Sequence, residues 1–134
     1  MIAIPQAIVA GMVAQARREL PNEACGLLVG KENEALKQYP LTNVDHSPEH
    51  FSLDPKEQFA VLREARRQGW QVIASYHSHP ASPARPSAED IRLALDPNII
   101  YIIVSLQEKE NPVVKAFSIR EGAAEEVGIL NSKF

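Results

Sequence analysis

The sequence contains one cysteine, Cys25, which excludes an internal disulfide framework and fits a reducing compartment. It also has no long hydrophobic run. The longest, residues 99–104, is far shorter than the roughly 18 apolar residues that suggest a membrane-spanning helix. No positively charged segment precedes the apolar stretch at the start of the chain, so we expect no signal peptide. Together these absences predict a soluble, cytoplasmic protein.

Positive charge is scarce as well. The chain has 14 Lys and Arg against 17 Asp and Glu, a formal net charge of −3, and no basic cluster that would attract nucleic acid. Its 45% apolar and 23% charged residues are typical of a globular protein rather than a disordered one. A length of 134 residues predicts a single domain over residues 1–134, large enough to bury a core.

Hydrophobic periodicity and capping residues predict three helices, at residues 5–20, 54–69 and 87–96. Short apolar or alternating runs predict strands at residues 25–29, 35–44, 71–76, 99–106, 113–119 and 126–130. Because Pro40 interrupts the second run, we expect that strand at an edge of the sheet. The predicted fold class is α+β, with a mixed sheet flanked by about three helices.

Two histidines, His77 and His79, lie one residue apart at the end of a predicted strand. Side chains alternate along a strand, so both imidazoles face the same side and can share one ion. Asp90, in the first turn of the next helix, can supply a third ligand of a kind that zinc accepts. Three protein ligands leave one position open for water, which favours a catalytic site over a closed structural one.

A metal-bound water also needs a base, and Glu23 is our candidate, although the chain's 17 acidic residues compete for the role. Ser87 lies in the same helical turn as Asp90 and is a candidate donor to the oxyanion. The alternative for this pair is a helix cap, because S-x-x-D is also a capping pattern. We expect that Ser87 can serve both purposes, but that Asp90 cannot easily do so.

The motif of the JAMM (MPN+) metalloproteases is a glutamate, then H-x-H-P, six residues and S-x-x-D. The sequence resembles it at Glu23, at residues 77–80 and at residues 87–90, with matching spacing. Residues 23–30 and the loop at residues 43–55 also resemble stand-alone prokaryotic members. The resemblance therefore extends over roughly the whole chain.

This resemblance implies a single JAMM domain with a cytidine-deaminase-like layered architecture. It implies that His77, His79 and Asp90 bind Zn²⁺, that Glu23 is the general base, and that Ser87 stabilises the tetrahedral intermediate. The family hydrolyses peptide or isopeptide bonds after the C-terminal glycine of ubiquitin or ubiquitin-like proteins.

The stand-alone bacterial members act on small ubiquitin-like sulfur carriers, releasing an attached cysteine or residues that mask the Gly-Gly end. We therefore expect a zinc-dependent peptidase or isopeptidase that uses zinc-activated water, with a Gly-Gly carrier protein as its substrate. The sequence does not name the carrier, the leaving group, the pathway or the oligomeric state.

Three alternatives stay open from the sequence. The chain could be a non-catalytic scaffold of the same fold, although such subunits usually lack the metal ligands. It could resemble relatives associated with DNA repair, although its net negative charge disfavours nucleic acid. It could also be a JAMM peptidase that acts on unrelated short peptides. Cytidine-deaminase chemistry is excluded, since H-x-E and C-x-x-C are both missing.

Several other residues attract attention but have simpler explanations. We expect Cys25 to be a small buried apolar residue, and His46 and His50 to be ordinary loop residues. Phe51 is expected to pack under its own loop. Trp70 is either part of the core or exposed to a partner.

Overall fold

Eight strands form one mixed sheet in the computed structural model, which describes residues 1–132. The strands are β1 (Ile2–Pro5), β2 (Cys25–Lys31), β3 (Glu34–Leu41), β4 (Gln71–His79), β5 (Ile100–Ser105), β6 (Val113–Arg120), β7 (Ala123–Val127) and β8 (Ile129–Ser132). The helices are α1 (Gln6–Arg18), α2 (Pro55–Arg67) and α3 (Ala88–Leu93). The last two residues of the domain predicted over residues 1–134 lie outside the described part.

The sheet is strongly curved. Its strand order is β7-β6-β5-β4-β2-β3-β1-β8, so β7 and β8 form its two opposite edges. Only Gly128 separates these two strands in the chain, and two residues span at most about 7 Å. The edges must therefore approach each other, and the backbone of Ile2 in β1 reaches Gly128 with an N–H···O bond of 3.0 Å.

Helix α1 fills the space that the curved sheet encloses. Its buried residues Ile8, Met12 and Ala16 belong to one apolar cluster with side chains from strands β1 to β6. Each fully buried aliphatic side chain contributes roughly 1.5–3 kcal/mol. The helix ends in Arg17 and Arg18, whose charges suit a helix C-terminus.

Helices α2 and α3 cover the opposite face of the sheet. Helix α2 begins at an Asp54 cap, whose carboxylate accepts the Lys56 N–H at 2.9 Å, and packs through Val61 and Ala65. Helix α3 lies on the same side of the sheet, where Ile91 contacts a second apolar cluster on β5 and β6. The sheet thus separates two layers, with α1 on one side and α2 and α3 on the other.

The predicted fold class is confirmed, with a mixed sheet and three helices. Two features of the ends differ from the sequence prediction. Residues 2–5 form the additional strand β1, and the single strand predicted at residues 126–130 is wrong because Gly128 divides it into β7 and β8. The division occurs where the chain crosses from one sheet edge to the other.

Three boundaries or positions near the middle of the chain also differ. Strand β3 lies between β2 and β1 in the sheet, so its prediction as an edge strand is wrong. It pairs with β1 at Glu34, far from Pro40, so the proline lies outside that pairing. Strand β4 continues three residues beyond the predicted end, to His79, and α3 ends at Leu93. The extension of β4 matters most, because it places both histidines on a paired strand.

Within residues 1–132, none of the helices could cross a membrane. The two longest have 13 residues each, whereas a bilayer requires about 20 apolar residues.

Candidate active site

The two histidines lie side by side on β4. His77 faces the α2 and α3 side of the sheet, opposite Cys25 on β2 and beside Ile103 on β5, and His79 follows on the same face. Both are buried, at 5% exposure each, and their Nε2 atoms lie 3.2 Å apart. The expectation that the two imidazoles share one face is confirmed.

Asp90 completes a group of three. Its Oδ2 lies 3.1 Å from Nε2 of His77 and 3.0 Å from Nε2 of His79. The three ligand atoms lie within 4.8 Å of one another, and this group could hold a metal ion. Two imidazole nitrogens and one carboxylate oxygen are a donor set that zinc accepts.

A hydrogen bond at the other ring nitrogen of His79 fixes the orientation of the ring. Its Nδ1 lies 2.8 Å from the carbonyl oxygen of Pro83. Because a carbonyl only accepts, Nδ1 carries the proton and donates it, which leaves Nε2 of the neutral ring with a free lone pair. The proline-rich loop after β4 thus orients His79 toward the other two groups.

Ser87 and Asp90 form a reciprocal cap at the start of α3. The Ser87 hydroxyl accepts the Asp90 N–H at 3.0 Å, and Oδ2 of Asp90 accepts the Ser87 N–H at 3.0 Å. Asp90 therefore caps the helix and faces both histidines. A carboxylate has about four positions that accept, so the cap leaves positions of Asp90 that a metal could use.

The environment of Asp90 favours its charged form. Burial acts to raise the pKa of Asp90, but the close contacts of its carboxylate with the rings of His77 and His79 outweigh burial and hold that pKa well below its usual range. The Ser87 hydroxyl accepts in the cap, so its own hydrogen is left for another partner. Ser87 is exposed beside this group.

Glu23 is buried next to the group. It is 5% exposed, and its Oε1 atom has no hydrogen-bond partner in the described part of the chain. Burial raises the pKa of Glu23 to about 7, and the charges of His79 and Asp90 act on it in opposite directions. A carboxyl group with a pKa near neutrality can both take and return a proton near pH 7.

Ser78, between the two histidines, ties the Glu23 segment to β4. It points to the other face of the sheet and is 1% exposed. Its hydroxyl accepts the Ala24 N–H at 2.7 Å, and its own N–H donates to the Ala24 carbonyl at 2.9 Å. Sequence analysis missed Ser78, although a small polar residue inside a buried strand is a signal that could have indicated it.

Phe51 contacts the site directly. Its ring stacks on His77, with centroids 4.5 Å apart and an angle of 20° between the planes. Phe51 thus packs between its loop and β4, and it does so on a residue of the candidate site. The preceding residue, His50, is exposed, and its Nδ1 forms a hydrogen bond with Oε1 of Glu89 at 2.6 Å. That hydrogen bond raises the pKa of His50.

The remaining residues fit the simpler explanations. Cys25 is fully buried, as expected, and burial raises the pKa of its thiol to about 12, so it is not a reactive thiolate. Trp70 is half-buried against the apolar cluster under α2, which favours its role in the core. His46 is an exposed loop residue, at a φ of 46°.

A cleft of about 690 Å³ leads to His77 and Asp90 between α2 and α3. Much of its lining is aliphatic, and its rim carries Leu62, Leu93 and Leu95, which are 48%, 57% and 85% exposed. A cleft that ends at a possible metal site is suited to binding an extended chain segment.

Comparisons with known proteins agree with this geometry. A CysO-cysteine peptidase from Mycobacterium tuberculosis is 37% identical over 121 residues, which cover 89% of this chain and 83% of the relative. A probable TtuB-protein conjugate cleaving protease from Thermus thermophilus is 34% identical over 120 residues, covering 89% and 76%. The solution structure of protein DSY2949 from Desulfitobacterium hafniense has a TM-score of 0.92 and 46% identity, covering 100% of this chain and 94% of that one.

The family model for prokaryotic homologs of the JAB domain matches residues 5–120, which include the two histidines, Asp90 and Glu23. The match extends over most of the chain and confirms the expected resemblance. The protein belongs to the family of prokaryotic homologs of the JAB domain.

Proposed function

We propose that this protein is a zinc-dependent peptidase that hydrolyses the amide bond after the C-terminal Gly-Gly of a ubiquitin-like sulfur carrier. The chain is a hydrolase of peptide or isopeptide bonds, as its family membership and its peptidase relatives indicate. One observation carries the proposal. His77, His79 and Asp90 converge within 4.8 Å beside the buried carboxyl group of Glu23.

Zn²⁺ is the metal that we propose for this group. Its usual ligands include imidazole nitrogens and carboxylate oxygens, and with three protein ligands it keeps a position for substrate. When bound, zinc polarises a carbonyl group and makes a water molecule a stronger nucleophile. His77, His79 and Asp90 would hold it, and the bond from His79 to the Pro83 carbonyl would keep that ring in place.

Glu23 is the proposed general base. Its carboxylate takes the proton of the attacking water and passes it to the departing amine, so that the amine leaves neutral. Two features support this role, namely a pKa raised to about 7 by burial and an Oε1 atom without a partner in residues 1–132. A carboxylate already held by hydrogen bonds would be a weaker base.

Ser87 is the proposed donor to the carbonyl oxygen of the scissile bond. Negative charge develops on that oxygen as water attacks, and a hydroxyl group placed beside it stabilises the transition state. The Ser87 hydroxyl accepts the Asp90 N–H and so lies within the same turn as a ligand, with its hydrogen still available.

The substrate class rests on two further observations. Two relatives carry names that refer to CysO-cysteine and to cleavage of TtuB conjugates. The cleft that leads to His77 and Asp90 is largely apolar, and a Gly-Gly tail, which has no side chains, can lie extended in it. We also propose that the enzyme works in the cytoplasm, since its only cysteine is a buried free thiol.

The test uses a sulfur carrier that ends in Gly-Gly and is extended by one cysteine. The zinc-loaded protein is incubated with it, with and without a chelator, and the carrier mass is followed. We expect loss of the added residue with zinc only. Glu23→Gln should lower kcat by about 10²–10⁴ with zinc retained, because the base is removed, whereas Glu19→Gln on the exposed end of α1 should be unchanged.

Other outcomes separate the alternatives. An intact carrier in both tubes, together with cleavage of unrelated peptides in a panel, would support a JAMM peptidase with other substrates. A protein that binds no zinc and cleaves nothing would support the non-catalytic scaffold. Normal turnover by Glu23→Gln would show that the base is another residue.

A further inference from the structure

We infer that Asn43 is a positioning residue that fixes the Glu23 backbone relative to the loop over His77. This loop, residues 43–52, joins β3 to α2. The consequence for catalysis rests on the proposed function, but the structural role of Asn43 does not. Asn43 is 8% exposed and does not belong to the metal-ligand group.

The amide of Asn43 uses all of its hydrogen-bonding groups. Its Nδ2 donates to the carbonyl oxygens of Glu23 at 3.1 Å and His50 at 2.9 Å. Its Oδ1 accepts the N–H groups of Asp45 at 3.0 Å and Ser52 at 3.2 Å. One side chain therefore joins the start of the loop, its end and the candidate base.

The same loop also binds the other backbone group of Glu23. The Glu23 N–H donates to the carbonyl oxygen of Ser47 at 2.9 Å. Both backbone groups of Glu23 thus bond to this loop, while its neighbour Ala24 bonds to Ser78. Since Oε1 of Glu23 has no partner in the described residues, the position of the carboxyl group depends largely on these backbone bonds.

The far end of the loop reaches the ligands. Phe51 stacks on His77 at 4.5 Å, and His50 bonds to Glu89 at 2.6 Å, next to Asp90. The bond from Asn43 to the His50 carbonyl precedes the stacked ring by one residue. A displacement of Asn43 would therefore disturb the base and the packing of a ligand ring together.

The arrangement requires an amide side chain. Two donors must face two carbonyl oxygens, and one acceptor must face two N–H groups. Aspartate has the same shape but would direct an oxygen at the two carbonyls, and it would leave both of them without a donor. A role in packing alone would tolerate aspartate, whereas a role in hydrogen bonding would not.

The test compares Asn43→Asp with Asn33→Asp, whose amide also donates to a backbone carbonyl, that of Met1, away from the site. Four quantities are measured: kcat, KM, bound zinc and hydrogen exchange of the Glu23 amide in the metal-free protein. For Asn43→Asp we expect kcat to fall about 10–100-fold with KM and zinc nearly unchanged, by analogy with outer-shell residues of metal sites. The Glu23 amide should exchange at least about tenfold faster, while Leu28 in β2 keeps its protection.

Asn33→Asp should match the wild type in all four measurements. An unchanged kcat together with a protected Glu23 amide in Asn43→Asp would overturn the inference. If Asn43→Asp does not fold, Asn43→Ser is measured in the same way, because serine is too short to reach all four backbone groups, and unchanged values there would overturn it too. If the wild type hydrolyses no carrier, the proposed function fails, but the exchange of Glu23 still decides the role of Asn43.

Discussion

Two buried polar clusters lie back to back on β4 and differ in how their hydrogen bonds are satisfied. Tyr76 faces α1, and the next residue, His77, faces α2 and α3. On the α1 side, the Tyr76 hydroxyl donates to Gln15 Oε1 at 2.5 Å and accepts from Gln38 Nε2 at 2.9 Å. Gln15 in turn donates to the Cys25 carbonyl at 2.8 Å, so the bonds of this cluster are closed within the protein.

The cluster around His77 is not closed in this way. Two histidine nitrogens and a carboxylate oxygen face one another at 3.0–3.2 Å, and the neighbouring Glu23 Oε1 has no partner in residues 1–132. Unpaired buried polar groups are costly, and proteins retain them where a ligand or a reaction uses them. The comparison indicates that the polar cluster on the α1 side is satisfied within the protein, whereas the cluster around His77 keeps the groups that the proposed function uses.

The largest expected effect comes from Asp90→Asn, which removes a charged ligand without changing its shape. Metal catalysis contributes several kcal/mol of transition-state stabilisation, so we expect hydrolysis to fall on the order of 10³-fold or more. Bound zinc, measured by metal analysis, should fall with it. Asp96→Asn in the same cleft is the matched control and should retain both. Full zinc occupancy in Asp90→Asn would contradict the ligand assignment.

Ser87→Ala should have the next largest effect, because it removes both a cap and the proposed oxyanion donor. We expect kcat to fall about 10²–10³-fold and the free energy of unfolding to fall by about 1 kcal/mol. Asp54→Ala removes the cap of α2 and provides the control. It should lose a similar free energy of unfolding and keep its kcat. Equal kcat values for the two variants would show that Ser87 acts only as a helix cap.

The smallest effects concern stability and its dependence on pH. Burial raises the pKa of Glu23 from 4.5 to about 7, so the metal-free folded protein binds this proton more tightly than the unfolded chain. Stability is therefore lost as the pH rises through about 7. The side chain of Glu23→Gln does not ionise. Relative to the wild type, the free energy of unfolding of this variant should be nearly unchanged below pH 4.5 and higher by roughly 3 kcal/mol at most above pH 7.

Tyr76→Phe gives the opposite result in the closed cluster. It leaves Gln15 and Gln38 without their shared partner, so we expect a loss of about 1–3 kcal/mol at each pH from 5 to 8. Denaturant unfolding of both metal-free variants at several pH values measures the difference. A pH-independent gain in Glu23→Gln, or a stabilised Tyr76→Phe, would remove the distinction between the two clusters.

Much of the candidate site could be predicted from local pattern. Strand alternation is enough to place His77 and His79 on one face, and a capping pattern is enough to place Ser87 and Asp90 in one turn. Glu23 could not be chosen among 17 acidic residues by pattern alone and required the family resemblance. Its burial and raised pKa depend on contacts with segments far away in the chain.

The amino-acid sequence by itself determined the fold class, the three helices and the identity of the three possible ligands, because periodicity, caps and spacing act over a few residues. Only the tertiary structure decided that β7 and β8 approach each other across Gly128, that Phe51 stacks on His77, and that Asn43 and Ser78 hold the Glu23 segment. The contacts made by Phe51, Asn43 and Ser78 join residues from 20 to 54 positions apart. They form only when the curved sheet brings those segments together, so no local pattern contains them.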